Sequence, residues 1–200
     1  GTLSLTFPQE ETGYKIDVKN MNVAYRTGTP SLGQCDLQLT LNPGEKMNSG
    51  GLLFSARNIL FNGIGCRNLS GVGKFDEKNF FLDIQNAEMF GGGLKIAAEG
   101  NISENLFPIK TNVVAEGIDL ATLSKSLSNS IKIPYGVAGN VKRATFQGVL
   151  NSQTNVAGLA FLEVGKISIS YSNVQKNIIK DGSLKAGLEF KGRDLNFKAD

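Results

Sequence analysis

Ser124, Lys125 and Ser126 stand side by side, the closest this chain comes to a nucleophile beside a base. Their surroundings argue against catalysis. They follow Leu120 and Leu123 at helical spacing, with no elbow motif to strain a serine into attack, so they read as the solvated tail of a helix. Histidine is absent from all 200 residues, which removes the commonest general base and rules out a Ser–His–Asp triad. Cys35 and Cys66 are too few for a zinc site. They either form one disulfide or stand as two buried thiols on neighbouring strands.

Other chemistry-bearing residues fare no better. Gly91-Gly92-Gly93 has the look of a phosphate cradle, but it leads into a strand pattern and not a helix, so it reads as a turn or bulge. Asp76 and Glu77 sit in the hydrophilic run Asp76-Glu77-Lys78-Asn79, a solvated hairpin tip. No spaced set of oxygen ligands ends in a bidentate acid, as a calcium loop would need. Asn101-Ile102-Ser103 fits a glycosylation sequon, which matters only in a secreted eukaryotic chain. The expectation is a protein that is not an enzyme and uses neither cofactor nor metal.

The elements that would carry any function are strands. Leu3, Leu5 and Phe7 alternate with polar residues, as do Tyr14, Ile16 and Val18, then Met21, Val23 and Tyr25, then Cys35, Leu37, Leu39 and Leu41. Breakers at Thr27-Gly28-Thr29-Pro30 and Asn42-Pro43-Gly44 separate them. Leu52 to Phe61 and Ile64 to Phe75 form a hairpin across Asn62-Gly63. Phe80, Leu82 and Ile84 follow, then Leu94, Ile96 and Ala98 against Lys95 and Glu99, then Ile109, Thr111, Val113 and Ala115.

The period changes once. Leu120, Leu123 and Leu127 recur at helical spacing after Asp119, an N-cap, which predicts a short helix over Leu120 to Leu127. Strand pattern resumes from Gly136 to Leu150, with a bulge where apolar parity drifts between Val141 and Phe146. Val156 to Val164, Ile167 to Tyr171 and Leu184 to Phe190 complete the series, with Asp181-Gly182 as the turn before the last strand. Phe81 beside Leu82, and Phe161 beside Leu162, put apolar groups on both faces, which fits two-sided burial or packing of the helix.

About a dozen strands with short links favour an antiparallel meander, since parallel pairs need long crossovers. Residues 1–200 read as a single all-β domain with one short helix. The expected architecture is a large, strongly curved antiparallel sheet or half-barrel forming a hydrophobic groove; the alternative is a β-sandwich. In the first case the inner face receives acyl chains, with Leu82, Ile84, Leu94, Ile96, Ala98, Ile109 and Val113 as candidate groove residues. A net charge of +3, with no clustered basic stretch, is a poor footprint for nucleic acid. No run of eighteen apolar residues occurs. The chain begins with Gly and shows no signal-peptide pattern, so it reads as a processed protein or a segment of a longer one.

Three pieces, MFGGGLKIAAEGNIS, PIKTNVVAEGIDLATLSKSL and IPYGVAGNVKRATFQGVL, resemble in order the C-terminal region of the AsmA-like family of bacterial envelope proteins. The shared features are an aromatic–glycine strand opening, a Gly-x-Asp-Leu step into a leucine helix, and a glycine-spaced strand. They fall at Phe90, Gly91, Gly92, Gly117, Asp119, Leu120, Leu123, Leu127, Gly139, Phe146 and Gly148. They cover about a third of the chain, and none is catalytic. The resemblance implies a periplasmic, groove-forming sheet tied to the inner or outer membrane by a segment outside this chain, binding phospholipid or another acyl lipid and supporting lipid transport or outer-membrane assembly. The type II secretion N component is similar in style, and implies instead a scaffold in a secretion or pilus machine that binds protein partners.

Overall fold

The structure is a computed structural model that describes residues 2–6, 14–23, 31–41, 49–61, 64–101, 108–127, 135–151, 155–171, 177–192 and 194–199. It is nearly all β. Twelve strands run in chain order: β1 (Thr2–Thr6), β2 (Tyr14–Val23), β3 (Ser31–Leu41), β4 (Gly50–Phe61), β5 (Ile64–Phe75), β6 (Asn79–Met89), β7 (Gly92–Asn101), β8 (Ile109–Asp119), β9 (Tyr135–Asn151), β10 (Asn155–Tyr171), β11 (Asn177–Gly192) and β12 (Asp194–Ala199). Among the described residues there is one helix, α1 (Leu120–Leu127), which follows β8. All twelve strands belong to one antiparallel sheet whose spatial order is the sequence order. That is the outcome short links dictate, because each strand returns beside the one just made.

The chain divides into two compact units: residues 1–87 with 95–111, and residues 88–94 with 112–200. In the first, the ladders set rows of directly opposed residues. Leu5, Ile16, Leu39, Leu52 and Gly73 form one row; Val18, Leu37, Phe54 and Gly71 form the next. Opposed residues share a face, so these rows lie on one side of the sheet. The other side carries Lys15, Thr40 and Lys74, then Asp17 and Gln38. There Gln38 Nε2 donates to Asp17 Oδ1 at 2.7 Å and Lys15 pairs with Asp17 at 3.4 Å. The Gln38 bond, with Lys15 behind it, holds the Asp17 carboxyl below the usual carboxylate range.

The second unit repeats the scheme. Ala144, Leu162 and Ala186 form a row, then Phe146, Ala160, Leu188 and Phe197, then Gly148, Gly158 and Phe190. The opposite side carries Arg143, Glu163 and Lys185, with Glu163 reaching Lys142 at 3.6 Å and Lys185 at 3.9 Å. The register steps between Glu163 and Val164, so that Arg143 faces Glu163 while Val141 faces Val164. Lys142 is the extra residue, which is the bulge that the parity drift between Val141 and Phe146 requires.

Four details of the sequence reading need correction. Asp181-Gly182 is not a turn: both residues lie inside β11, where Asp181 has φ +55° and Gly182 faces Ile167. A turn dipeptide in mid-strand makes a bulge when the ladder continues past it. The stretches 156–164 and 167–171 are likewise one strand, β10, stepping its register around Lys166 at φ +55°. β12 follows Phe190 as a further strand. Phe81 and Phe161 are neither buried twice nor packed under the helix; they are 39% and 42% exposed. The breakers at 27–30 and 42–44, the link at 62–63, and Ile102 and Ser103 of the sequon lie outside the described residues. The strands flanking 62–63 do pair, Phe61 opposite Ile64.

Helix α1 spans the residues its leucine spacing and cap predict. The carboxylate of Asp119 accepts the Thr122 N–H at 2.7 Å, filling one of the donors a helix start leaves open. Bonding from Thr122, through side chain and backbone, keeps the Asp119 carboxyl below its ordinary range. A depressed carboxyl contributes stability above its unfolded value and loses it on acidification. Amide-exchange protection of α1 is therefore expected to fall as pH drops below about 4 and on through the depressed value. Asp119→Asn, which still caps, should keep protection through that range, and Asp119→Ala should lose it already at neutral pH; hydrogen exchange followed by mass spectrometry checks all three.

Candidate functional site

Few side chains are withdrawn from solvent. Among the described residues the buried hydrophobics are Cys35, Ala56, Ala87, Ile118, Val141, Val164 and Ala186, and no leucine or phenylalanine is among them. Within each unit the strands touch their ladder neighbours, and α1 packs on β9. An ordinary sandwich core buries its large aliphatic and aromatic side chains. Here most of those side chains are half-buried, held at their flanks by neighbours in the sheet, and some, Leu5 and Phe197 among them, are exposed.

In the first unit this apolar face is the set of rows from Leu5 to Gly73 and from Val18 to Gly71. Cys35, Ala56 and Leu69 continue it. Cys35 and Cys66 are not joined in a disulfide. The cysteines stand on β3 and β5 and not on neighbouring strands, with β4 between them. Two strand spacings are about 9.6 Å, well past the Cα separation a disulfide spans. Burial, and then the neighbouring Asp36, pushes the Cys35 thiol up, so it is a packing group at neutral pH.

Five of the seven candidate residues come together in this unit. Phe80 lays its ring where a Cβ on Gly100 would stand, which puts the half-buried faces of β6 and β7 on one side. Leu82 and Ile84 share the Phe80 face, and Ile96 and Ala98 share the Gly100 face. Lys110 pairs with Glu99 at 3.2 Å on the exposed side, so the alternate residues Ile109 and Ala98 share the other. Thr111, the polar residue of this stretch, turns its hydroxyl onto the Ala97 carbonyl at 3.3 Å. Leu94 and Val113 belong to the second unit, each half-buried on its own strand.

The residues of the envelope-family pattern shape the second unit. Phe90 and Gly91, at φ +51° and +80°, are the two-residue link between β6 and β7, and φ is positive at both, as in a type I′ turn. The Phe90 carbonyl accepts the Asp119 N–H at 2.8 Å, tying that turn to the start of the helix. Gly92 meets the backbone of Glu116 and Gly117, where a side chain would collide. Gly117, at φ +72°, turns β8 toward Asp119. Leu120 and Leu123 then pack with Phe90 on Ile118, Val141 and Val164, while Leu127 is the last helical residue. Gly139, at φ +144°, passes close to the backbone of Lys166 and Ile167. Phe146 lies over Gly148, and its ring meets that of Phe190 edge-on, centroids 5.8 Å apart.

Sequence reasoning did not select Leu37, Leu39, Leu52 and Phe54, or Ala160, Leu188 and Phe190, although each lies in the longest apolar rows of its unit. Their alternation was visible; what was missing was the register that lines them up. No three potential metal ligands converge among the described residues.

Fold and site together define a class: an antiparallel β-meander with an apolar face, one capped helix and no assembled polar centre among the described residues. Beyond that class, no family model, no curated protein and no solved structure matches this chain.

Proposed function

We propose that this chain is a lipid-handling module of a bacterial envelope protein, one that holds acyl chains on its apolar sheet face. In this reading it works in the periplasm, carries out no catalysis, and reaches the membrane through segments outside this chain. It would serve phospholipid movement or outer-membrane assembly, as the AsmA-like resemblance implies. The single supporting observation is the row after row of half-buried leucine, isoleucine and phenylalanine with no protein layer over it within either unit, among the described residues. Covering one CH₂ of a ligand is worth about 0.8 kcal/mol, and aliphatic rows impose no directional bonds, so a chain can bind and still slide.

A scaffold role in a secretion machine is the second reading. It is favoured by β1 and β12, which among the described residues each have one neighbour in the sheet order and so offer backbone to a partner strand. Native mass spectrometry of protein purified from bacteria, with lipid extraction from the same sample, separates the two. Near-stoichiometric phospholipid is the expected result. A bare protein mass that persists after incubation with phospholipid vesicles would overturn the lipid reading and leave the scaffold.

A further inference from the structure

β12 is an outer strand of the second unit: among the described residues it pairs with β11 alone. Its free edge carries backbone donors and acceptors that a further strand can take up. Asp194 and Lys198 are the charged residues of this strand, both exposed and neither in an ion pair among the described residues. They stand two residues either side of Asn196, on one face, in the run Asp194-Leu195-Asn196-Phe197-Lys198. Across the ladder Lys191 faces Asp194 but is engaged by Glu189 at 2.9 Å, and Gly187 faces Lys198. On the other face Phe197, 62% exposed, ends the row of Phe146, Ala160 and Leu188.

Read backwards, this run puts the opposite charge at each charged place and exchanges Leu195 with Phe197. A two-fold axis through Asn196, normal to the sheet, therefore matches every position when β12 is laid antiparallel on β12 of a second copy. Asp194 falls opposite Lys198 twice, Leu195 opposite Phe197 twice, and Asn196 opposite itself. We propose that β12 is the seam of a homodimer built in this way. The occupant is a second copy and not a foreign strand because the charges complement themselves about the axis. They also set the register. A shift of two residues either way sets one charge against Asn196 and forms neither ion pair. A shift of one brings the apolar side of one copy level with the charged side of the other. β1 has no charged residue with which to choose between registers. The seam leaves the apolar face as it is and holds whatever that face binds. A ladder of five residues is short for an interface, so the dimer is weak, half formed at about 100 µM.

Sedimentation velocity of the 200-residue chain, from about 5 to about 500 µM so as to bracket that value, tests the proposal. Wild type should pass from monomer to dimer, and in hydrogen exchange the amides of β12, not those of β1, should gain protection at the higher concentration. Asp194→Lys or Lys198→Asp sets like charges opposite each other at both ends of the seam, and each should weaken the dimer at least about tenfold. An equal mixture of the two variants regains both ion pairs across a heterodimer, so dimer should return in the wild-type concentration range. Asp194→Lys/Lys198→Asp in one chain should dimerise as wild type does, and it serves in place of the mixture if one single variant does not fold. A chain that stays monomeric throughout, a dimer that both single variants keep, or a failure of the restored charge pairs to bring it back would overturn the proposal.

Discussion

Ile96→Asp is expected to yield a soluble, folded protein that has lost at least about tenfold of its bound lipid, the consequence of setting a charge in an apolar path. Ile96 is half-buried, flanked in its own strand by exposed Lys95 and half-buried Ala97. An aspartate there keeps part of its hydration, so the substitution should cost about 1–2 kcal/mol of stability, or a fall in Tm of about 2–8 °C for a chain of this length. Lipid has no such escape. An acyl chain on β7 would have to strip water from the carboxylate or leave the strand, and it leaves. The paired control is Lys95→Asp, on the exposed side of the same strand, which should keep wild-type occupancy. Thermal unfolding and native mass spectrometry on the same preparations decide the matter. Failure of Ile96→Asp to fold would show the face to be a closed core. Folded Ile96→Asp with normal lipid content would show that the lipid lies elsewhere.

How far the sequence carries this account depends on the range of the interactions. The period-two stripes are local, and so are the cap at Asp119 and the leucines at 120, 123 and 127; strands and helix were legible from them, the helix to the residue. The extra residue near Lys142 was legible too, because an odd step in parity between Val141 and Phe146 has to be absorbed somewhere. Asp181-Gly182 misled because a positive φ serves a turn and a mid-strand bulge equally well, and only the ladder on either side tells them apart. The final strand was missed where Asp194 to Ala199 is too short and too polar to stand out. The groove candidates were chosen along one stretch of chain. Across the sheet the apolar face is built of rows such as Val18, Leu37, Phe54 and Gly71, which no one stretch of chain displays. Rings laid on glycines depend on register between strands, and no single strand carries that information.

Val164→Asp should do what Ile96→Asp does not, and unfold the second unit. Val164 is 3% exposed and packs with Ile118 and Val141 under Phe90, Leu120 and Leu123. Each of these neighbours is apolar, so a carboxylate at this place has neither water nor a partner. The lost valine burial and the stranded polar group together cost about 3–5 kcal/mol, at the upper end of what single substitutions do. Domains of ordinary size hold about 5–15 kcal/mol in all, and a unit whose fully buried residues are few stands toward the lower figure. Hydrogen exchange should show α1 and the strands β9 to β11 losing protection together, since the helix and the bulged ends of those strands share one apolar cluster. β2 to β5 are built on their own ladders and should keep protection. Val164→Ala, which removes volume and adds no polarity, should cost about 2 kcal/mol and leave the fold intact. If Val164→Asp retained the protection of α1 and β9, the helix would be an appendage on the sheet, and the cluster around Val164 would not be what holds it there.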